Sequence, residues 1–428
     1  DDEQEFYFYL TLADQHQVVQ LPENEFDPTR FRQSLDSGLK RFASGFTKTV
    51  ALSVPRVNEQ MAQYGLGGPA FANLEQAIAR DYRIVMEDLT DGSIDPEADI
   101  LAVVAPRQLD EQAVFAIDQF LMRGGTVILA TSPYSVEREQ GALRRVDWSS
   151  GLEAWLSHHG IEIEEAMVLD DRNALFPAPV KRESGDNEFR DVKMINYPYF
   201  VDIRRRGIAT HPQTGSLPQV TLAWASPLEV ERRNNRRVSK LLWSSPRAWL
   251  SDSAEITPVV DAAGDSLPFR PADGVTRQSH ELGALLQGRF DSAFEAPPYR
   301  HQGPGSNKLV SGLIKRSPES SRILVFSSND FLSDQVLASL VQASGTQYLG
   351  SLELLSNALD WALQEEQLLD IRSRAHFNRT LPPMERQARV LLELFNYGAA
   401  LLWLLLLAVW RWLLGRSRRR RFARELGL

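Results

Sequence analysis

Ile100-Leu-Ala-Val-Val-Ala105, then Leu109-Asp-Glu-Gln-Ala-Val-Phe-Ala-Ile-Asp-Gln-Phe-Leu-Met122, then Thr126-Val-Ile-Leu-Ala130, read in succession as strand, helix and strand. The two short runs are continuously apolar, which marks strands covered on both faces rather than strands with one wet side. Pro106 stops the first of them. Val114, Ile117 and Leu121 share one face of the intervening helix, and Gly124-Gly125 ends it, since glycine takes the left-handed geometry of a helix cap without a steric cost. A unit of this kind predicts a parallel sheet with helices on its faces.

The alternation extends in both directions. Upstream, Thr49-Val-Ala-Leu-Ser-Val54 is a buried strand closed by Pro55, residues 71–80 form a helix, and Tyr82-Arg-Ile-Val-Met86 forms a strand. Downstream, residues 152–158 form a helix, Arg322-Ile-Leu-Val-Phe-Ser327 resumes the buried-strand pattern and returns to the first sheet, and 334–343 and 352–363 are helical. At the start, the aromatic run ending at Ala13 and Gln17-Val-Val-Gln-Leu21 read as a hairpin. Phe31, Leu35, Leu39 and Phe42 then recur at helical spacing. Residues 166–317, broken by Pro, Gly and polar clusters, read as an irregular β-containing insertion or second lobe. The expected organisation is an α/β domain with an N-terminal hairpin over 1–165, the β-containing lobe over 166–317, a return strand and helices over 318–383, a membrane helix with its lead-in over 384–414, and a basic tail over 415–428.

The membrane helix is read from Leu394 to Trp410, seventeen consecutive residues without a charge. Extended to Leu414 the segment spans roughly 31 Å as a helix, enough for a bilayer core. Trp403, Trp410 and Trp412 are the amphipathic rings expected in such a segment, and Arg411 at its end is most simply a snorkelling side chain. Arg416, Arg418, Arg419, Arg420 and Arg421 follow directly, and arginines at one end of a span place that end in the cytoplasm. The preceding body then lies on the other side, which leads to the expectation of an export segment upstream of Asp1. The competing reading is a buried core helix followed by a basic tail. Of 47 basic and 56 acidic residues, seven arginines and one glutamate lie from Arg411 onward, leaving the rest at −15. So acidic a body does not suggest nucleic-acid binding. With no cysteine, disulfides, thiolate metal sites and cysteine nucleophiles are excluded.

Catalytic signatures are sparse. No phosphate-binding loop of the G-x-x-x-x-G-K-[ST] type occurs, and Gly65-Leu-Gly67-Gly68 has the wrong spacing for a dinucleotide cradle. His158 and His159 are adjacent, so a helix aims them about 100° apart and away from a shared metal. Ser37 and Lys40 fit S-x-x-K, where one helical turn brings an amine to a hydroxyl, but the companion S-D-N and K-T-G motifs are missing. Asp170-Asp171 and Glu162, Glu164 and Glu165 read as a solvated turn and a strand edge. Arg204-Arg-Arg206 and the arginines at 232, 233, 236 and 237 are basic patches that suit an anion, a partner or plain exposed turns.

Several of these stretches, taken in order, resemble one family. Residues 98–106 and 116–130, Val168-Leu-Asp-Asp171, Ser327-Ser-Asn-Asp-Phe-Leu-Ser-Asp334, Asn357-Ala-Leu-Asp-Trp361 and Leu369-Asp-Ile-Arg-Ser-Arg374, with Asn396-Tyr397 leading into the span, are similar to the auxiliary component of gliding-motility-type ABC transporters. The resemblance implies a non-catalytic, membrane-anchored subunit beside an ABC-2 type permease and a separate ATPase, in the bacterial inner membrane, with its bulk extracytoplasmic and its C-terminus cytoplasmic. It implies no cofactor. Its α/β domain would be flavodoxin-like or glutamine-amidotransferase-like in fold, without amidotransferase activity, because the cysteine nucleophile is missing. Ile117, Phe120 and Leu121 would pack on the sheet, with Asp118 and Gln119 facing the other way. Arg107, Asp118, Gln119, Trp361, Arg372, Arg374 and Asn396 are the candidate interface residues. The alternatives are an envelope-facing serine hydrolase using Ser37 and Lys40, and a structural membrane scaffold without a transporter.

Overall fold

The computed structural model describes residues 10–13, 18–21, 48–55 and 69–298, except 140–141, 185–186, 215–216, 234, 259–268, 270 and 272–273, and then 313–344, 350–363 and 386–425. Two compact units divide the chain, Asp1–Ala375 and His376–Leu428.

The first unit is built on a seven-stranded, mostly parallel sheet. Strands β3 (Thr49–Ser53), β4 (Arg83–Met86), β5 (Ile100–Val104), β6 (Thr126–Ala130) and β18 (Arg322–Phe326) run parallel, in the spatial order β18-β6-β5-β3-β4. The apolar runs anticipated for them are there, and every residue of β3, β5, β6 and β18 is buried. Helices α1 (Ala72–Ala79), α2 (Glu111–Met122), α3 (Glu153–His158), α4 (Asp334–Ser344) and α5 (Gly350–Ala362) fall where apolar periodicity places them. The core divides into layers on the two faces of the sheet. Leu74, Leu354 and Leu359 pack on one face, and Ile117, Leu121 and Trp155 on the other.

Capping and sterics fix the ends of α2. Asp110 accepts from the amide of Ala113 at 2.9 Å, satisfying a first-turn donor that the helix itself leaves open. At the far end Gly124 takes φ +97°. A Cβ on Gly125 would lie 2.4 Å from the Phe120 ring and 2.6 Å from the Phe120 carbonyl oxygen, so glycine is the residue that lets the chain turn directly from α2 into β6.

The irregular stretch contributes to the same sheet. β17 (Glu281–Gly288) pairs antiparallel with β18, and β15 (Arg236–Trp243) pairs antiparallel with β17, extending the sheet at that edge. Two short antiparallel pairs, β9 (Ile161–Ile163) with β14 (Leu228–Val230) and β10 (Met167–Leu169) with β16 (Trp249–Ser251), accompany a long ribbon of β11 (Asn173–Ser184) and β12 (Asn187–Arg204), with β13 (Gln219–Ala223) beside β12. The N-terminal hairpin forms as β1 (Leu10–Ala13) and β2 (Val18–Leu21), with Leu10 opposite Leu21. A second hairpin, β7 (Tyr134–Glu139) and β8 (Ala142–Asp147), follows β6, where polar sequence hid it.

In the second unit the described residues form one helix, α6 (Arg386–Glu425), which runs 40 residues. Within it Glu393–Trp412 is long and apolar enough to cross a membrane.

Candidate functional site

In an open α/β sheet the strand ends at the carboxyl edge carry the loops that bind ligands. Here that edge holds a row of polar groups. β18 leaves the sheet through Ser327-Ser-Asn-Asp-Phe-Leu-Ser333, all of it buried. Asn329 is its centre. Its Nδ2 donates to the carbonyls of Ser132 at 2.8 Å and Tyr134 at 2.7 Å, and its Oδ1 accepts from the amide of Ser132 at 3.2 Å. Ser328 Oγ donates to the Ala223 carbonyl at 2.6 Å, and the Ser132 and Ser226 hydroxyls lie 2.9 Å apart. Asp334 reaches back to cap α1, accepting from the amides of Ala72 at 2.9 Å and Asn73 at 2.8 Å. This stretch therefore ties β18 to the exits of β6 and β13 and to α1.

Asp330 accepts from Ser135 Oγ at 3.0 Å. Burial pushes its carboxyl up to about 7, against the pull of the Ser135 and Val136 hydrogen bonds. Between an unfolded value near 3.8 and a folded value near 7, the native protein keeps a proton that the unfolded chain releases. Its stability therefore falls as pH rises through that window. Asp330→Asn carries no proton, so its stability relative to wild type should improve by about 2–3 kcal/mol between pH 5 and pH 8. Thermal melts of both proteins at the two pH values check this. Burial holds the His159 imidazole well below its usual range, and that effect cancels in the difference because both proteins share it.

Further along the edge, β15 ends and β17 begins. Asp170 accepts from Ser245 N and Oγ, both at 2.6 Å, and from the amide of Arg172 at 2.9 Å. The expectation of a solvated Asp170 fails, because the residue is fully buried and its oxygens meet the Ser245 turn and the Arg172 amide. Asp171 beside it is exposed, as expected of a solvated turn, and pairs with Arg277 at 2.8 Å. His280 donates its backbone amide to Ser244 Oγ at 2.8 Å, and burial lowers its imidazole against the opposing charge of Asp170. Among the described residues no serine hydroxyl bonds an imidazole and no group of acids and histidines is arranged to hold a metal ion. The hydroxyls of Ser245 and Ser328 donate to a carboxylate and a carbonyl, so they serve as structural clasps.

At the exit of β5, Ala105 and Gln108 both have φ +49°, a left-handed conformation that costs a non-glycine residue about 1–2 kcal/mol. Between them Arg107 is exposed, its guanidinium 4.6 Å over the ring of Trp148, whose Nε1 donates to the Pro106 carbonyl at 2.7 Å.

The other expected interface residues are scattered. Asp118 and Gln119 do not face outward, and both are buried. Asp118 accepts from Trp155 Nε1 at 3.1 Å, Ser292 Oγ at 2.6 Å, the Ala293 amide at 3.1 Å and Gln119 Nε2 at 3.0 Å. Gln119 clamps the backbone of Ile314 in both directions. Segments around 292 and 314 thus cover the side of α2 that periodicity assigned to solvent, and burial raises the Asp118 carboxyl against those four bonds. Trp361 lies near the end of α5, with Arg322 4.4 Å over its ring and His211 edge-on at 5.3 Å. Arg322 is buried and donates to the Ala362 carbonyl at 3.1 Å, a cation at the negative end of α5. One residue earlier, Asp360 accepts from the Tyr82 hydroxyl. Asn396, Trp403, Trp410, Arg411 and Trp412 are exposed on α6. Arg416 and Arg418–Arg421 continue that helix. Arg372, Arg374, Ser37 and Lys40 lie outside the described residues.

Residues 51–361 match the family model described as "ABC-type uncharacterized transport system". No curated protein matches. Among solved structures the chain is similar to the mmIFT52 N-terminal domain, at 9% identity and TM-score 0.38, covering 73% of this chain and 97% of that one. It is also similar to a ThuA-like protein from Bacteroides uniformis ATCC 8492, at 10% identity and TM-score 0.32, covering 74% and 91%. A third likeness is to the exo-β-1,4-mannosidase Op5Man5 from Opitutaceae bacterium strain TAV5, at 10% identity and TM-score 0.27, covering 77% and 38%. Likeness at this level carries no argument about activity.

Proposed function

The chain belongs to the auxiliary family of the ABC-type uncharacterized transport system, and from that premise we propose that it is a non-catalytic, membrane-anchored subunit of an ABC-2 type transporter of the gliding-motility kind. It works beside a permease and a separate ATPase in the bacterial inner membrane. α6 is the anchor, with Trp403, Trp410 and Trp412 as amphipathic rings along it. Arg411 snorkels, and Arg416 and Arg418–Arg421 hold the C-terminus in the cytoplasm, which leaves the α/β body extracytoplasmic. That body binds substrate, envelope partner or permease, with Arg107, Trp361, Arg372, Arg374 and Asn396 as interface residues. The five parallel strands, renumbered in chain order, lie in the order 2-1-3-4-5, which supports a flavodoxin-like reading of the sheet.

The observation that carries this reading is the family match across residues 51–361. The test is affinity purification of the full-length chain from membranes in mild detergent. A permease and an ATPase should accompany it in fixed proportion, and recovery of the chain alone would remove the reading's main support.

A further inference from the structure

The structure assigns an oxyanion-binding site to the exit of β5, with Arg107 as the group that contacts the ligand's carboxylate or phosphate. This deepens the proposed function, since it rests on the body acting as a binding module.

The place follows from topology. β4 and β5 lie on opposite sides of β3, so the chain reverses its direction of travel across the sheet there. In open α/β sheets the crevice at such a reversal, beyond the carboxyl ends of the strands, is where ligands bind. Arg107 sits at the carboxyl end of β5, beside that reversal.

The chemistry follows from what surrounds Arg107. The body is strongly acidic, yet this exposed guanidinium makes no ion pair among the described residues. It lies instead on Trp148, itself buried and fixed by bonds from Nε1 to the Pro106 carbonyl and from its amide to Pro133 at 2.8 Å. Stacking on an aromatic face leaves the in-plane N–H fork of arginine open, and that fork matches the two oxygens of a carboxylate or phosphate.

The loop is also rigid. Gln108 and Leu109 donate their amides to Ser149 at 2.9 Å and Ser150 at 3.0 Å. Two non-glycine residues in left-handed conformations flank the arginine, and strain of this kind persists where surrounding structure enforces it and clusters at ligand sites. A cation held in place before the ligand arrives loses little side-chain entropy on binding.

Isothermal titration of the full-length protein in zwitterionic nanodiscs tests the site. Galacturonate is the carboxylate probe, inorganic phosphate the phosphate probe and galactose the neutral control. One of the anions should bind, and which one identifies the source of the oxyanion. Arg107→Ala should weaken that binding about tenfold or more. Arg107→Lys, which keeps the charge without the planar fork, should lose a large part of it. Absence of binding by either anion, or equal binding by Arg107→Ala, overturns the assignment. Partner recovery with the unsubstituted chain separates the two readings. Anion binding by a chain that carries permease and ATPase supports both, anion binding without partners overturns only the transporter reading, and no anion binding with partners attached overturns only the site.

Discussion

Asn329→Ala should lower the unfolding free energy of the α/β body by about 3–5 kcal/mol, followed by tryptophan fluorescence in denaturant on the full-length chain. Three hydrogen bonds end on this side chain, and all of its partners belong to the backbone of 132–134. Truncation leaves one amide and two carbonyls without those bonds in a buried environment. Each such orphaned group costs about 1–3 kcal/mol, well beyond the net value of an ordinary exchange with water. The cavity left by the amide adds to this. Asn329→Asp, similar in shape, should also destabilise, because a carboxylate cannot donate to the Ser132 and Tyr134 carbonyls. A loss below about 1 kcal/mol for Asn329→Ala would show that the knot at the end of β18 is dispensable.

The paired substitutions Leu404→Asp and Leu405→Asp should transfer the protein from the membrane pellet to the alkaline-extractable fraction. Both positions fall near the middle of the apolar segment Glu393–Trp412. Aspartate there costs on the order of 3 kcal/mol per residue in insertion, while each lost leucine removes a few tenths. Together the pair disfavours the inserted state by about 6–7 kcal/mol. The same two positions changed to isoleucine should leave the protein in the pellet. Retention of the aspartate variant in carbonate-washed membranes would sink the anchor reading of α6, whatever the fate of the transporter assignment.

The central sheet was largely legible from residues, for a local reason. Strands buried on both faces need unbroken apolar runs, and Pro55, Pro106 and Gly124-Gly125 mark where runs and helices stop. Hairpin β7–β8 was missed because Ser135, Glu137, Arg138, Arg144 and Arg145 give it no apolar signal. The outward placement of Asp118 and Gln119 failed for a different reason. Helical periodicity reports one apolar face and supposes water opposite, but loops from 174 to 195 residues away in sequence supply the cover. In sequence the polar knot is only the octapeptide Ser327–Asp334. The role of Asn329 depends on Ser132, 197 residues earlier, and no local pattern encodes such a pairing.

β18 enters the sheet between β6 and β17, so Phe326 pairs with Ala130 about 200 residues earlier in the chain. Contacts that distant close slowly, because the loop entropy is lost before the packing is gained. A body threaded N-terminus first across a bilayer would hold β6 with an open edge until its last strand emerged. In the proposed topology the apolar segment Glu393–Trp412 would halt threading, and it begins fewer than 70 residues after Phe326. Completion of the sheet and arrest in the bilayer would then be nearly simultaneous events. The interval in which such a body needs protection from aggregation would end about when its tether is set.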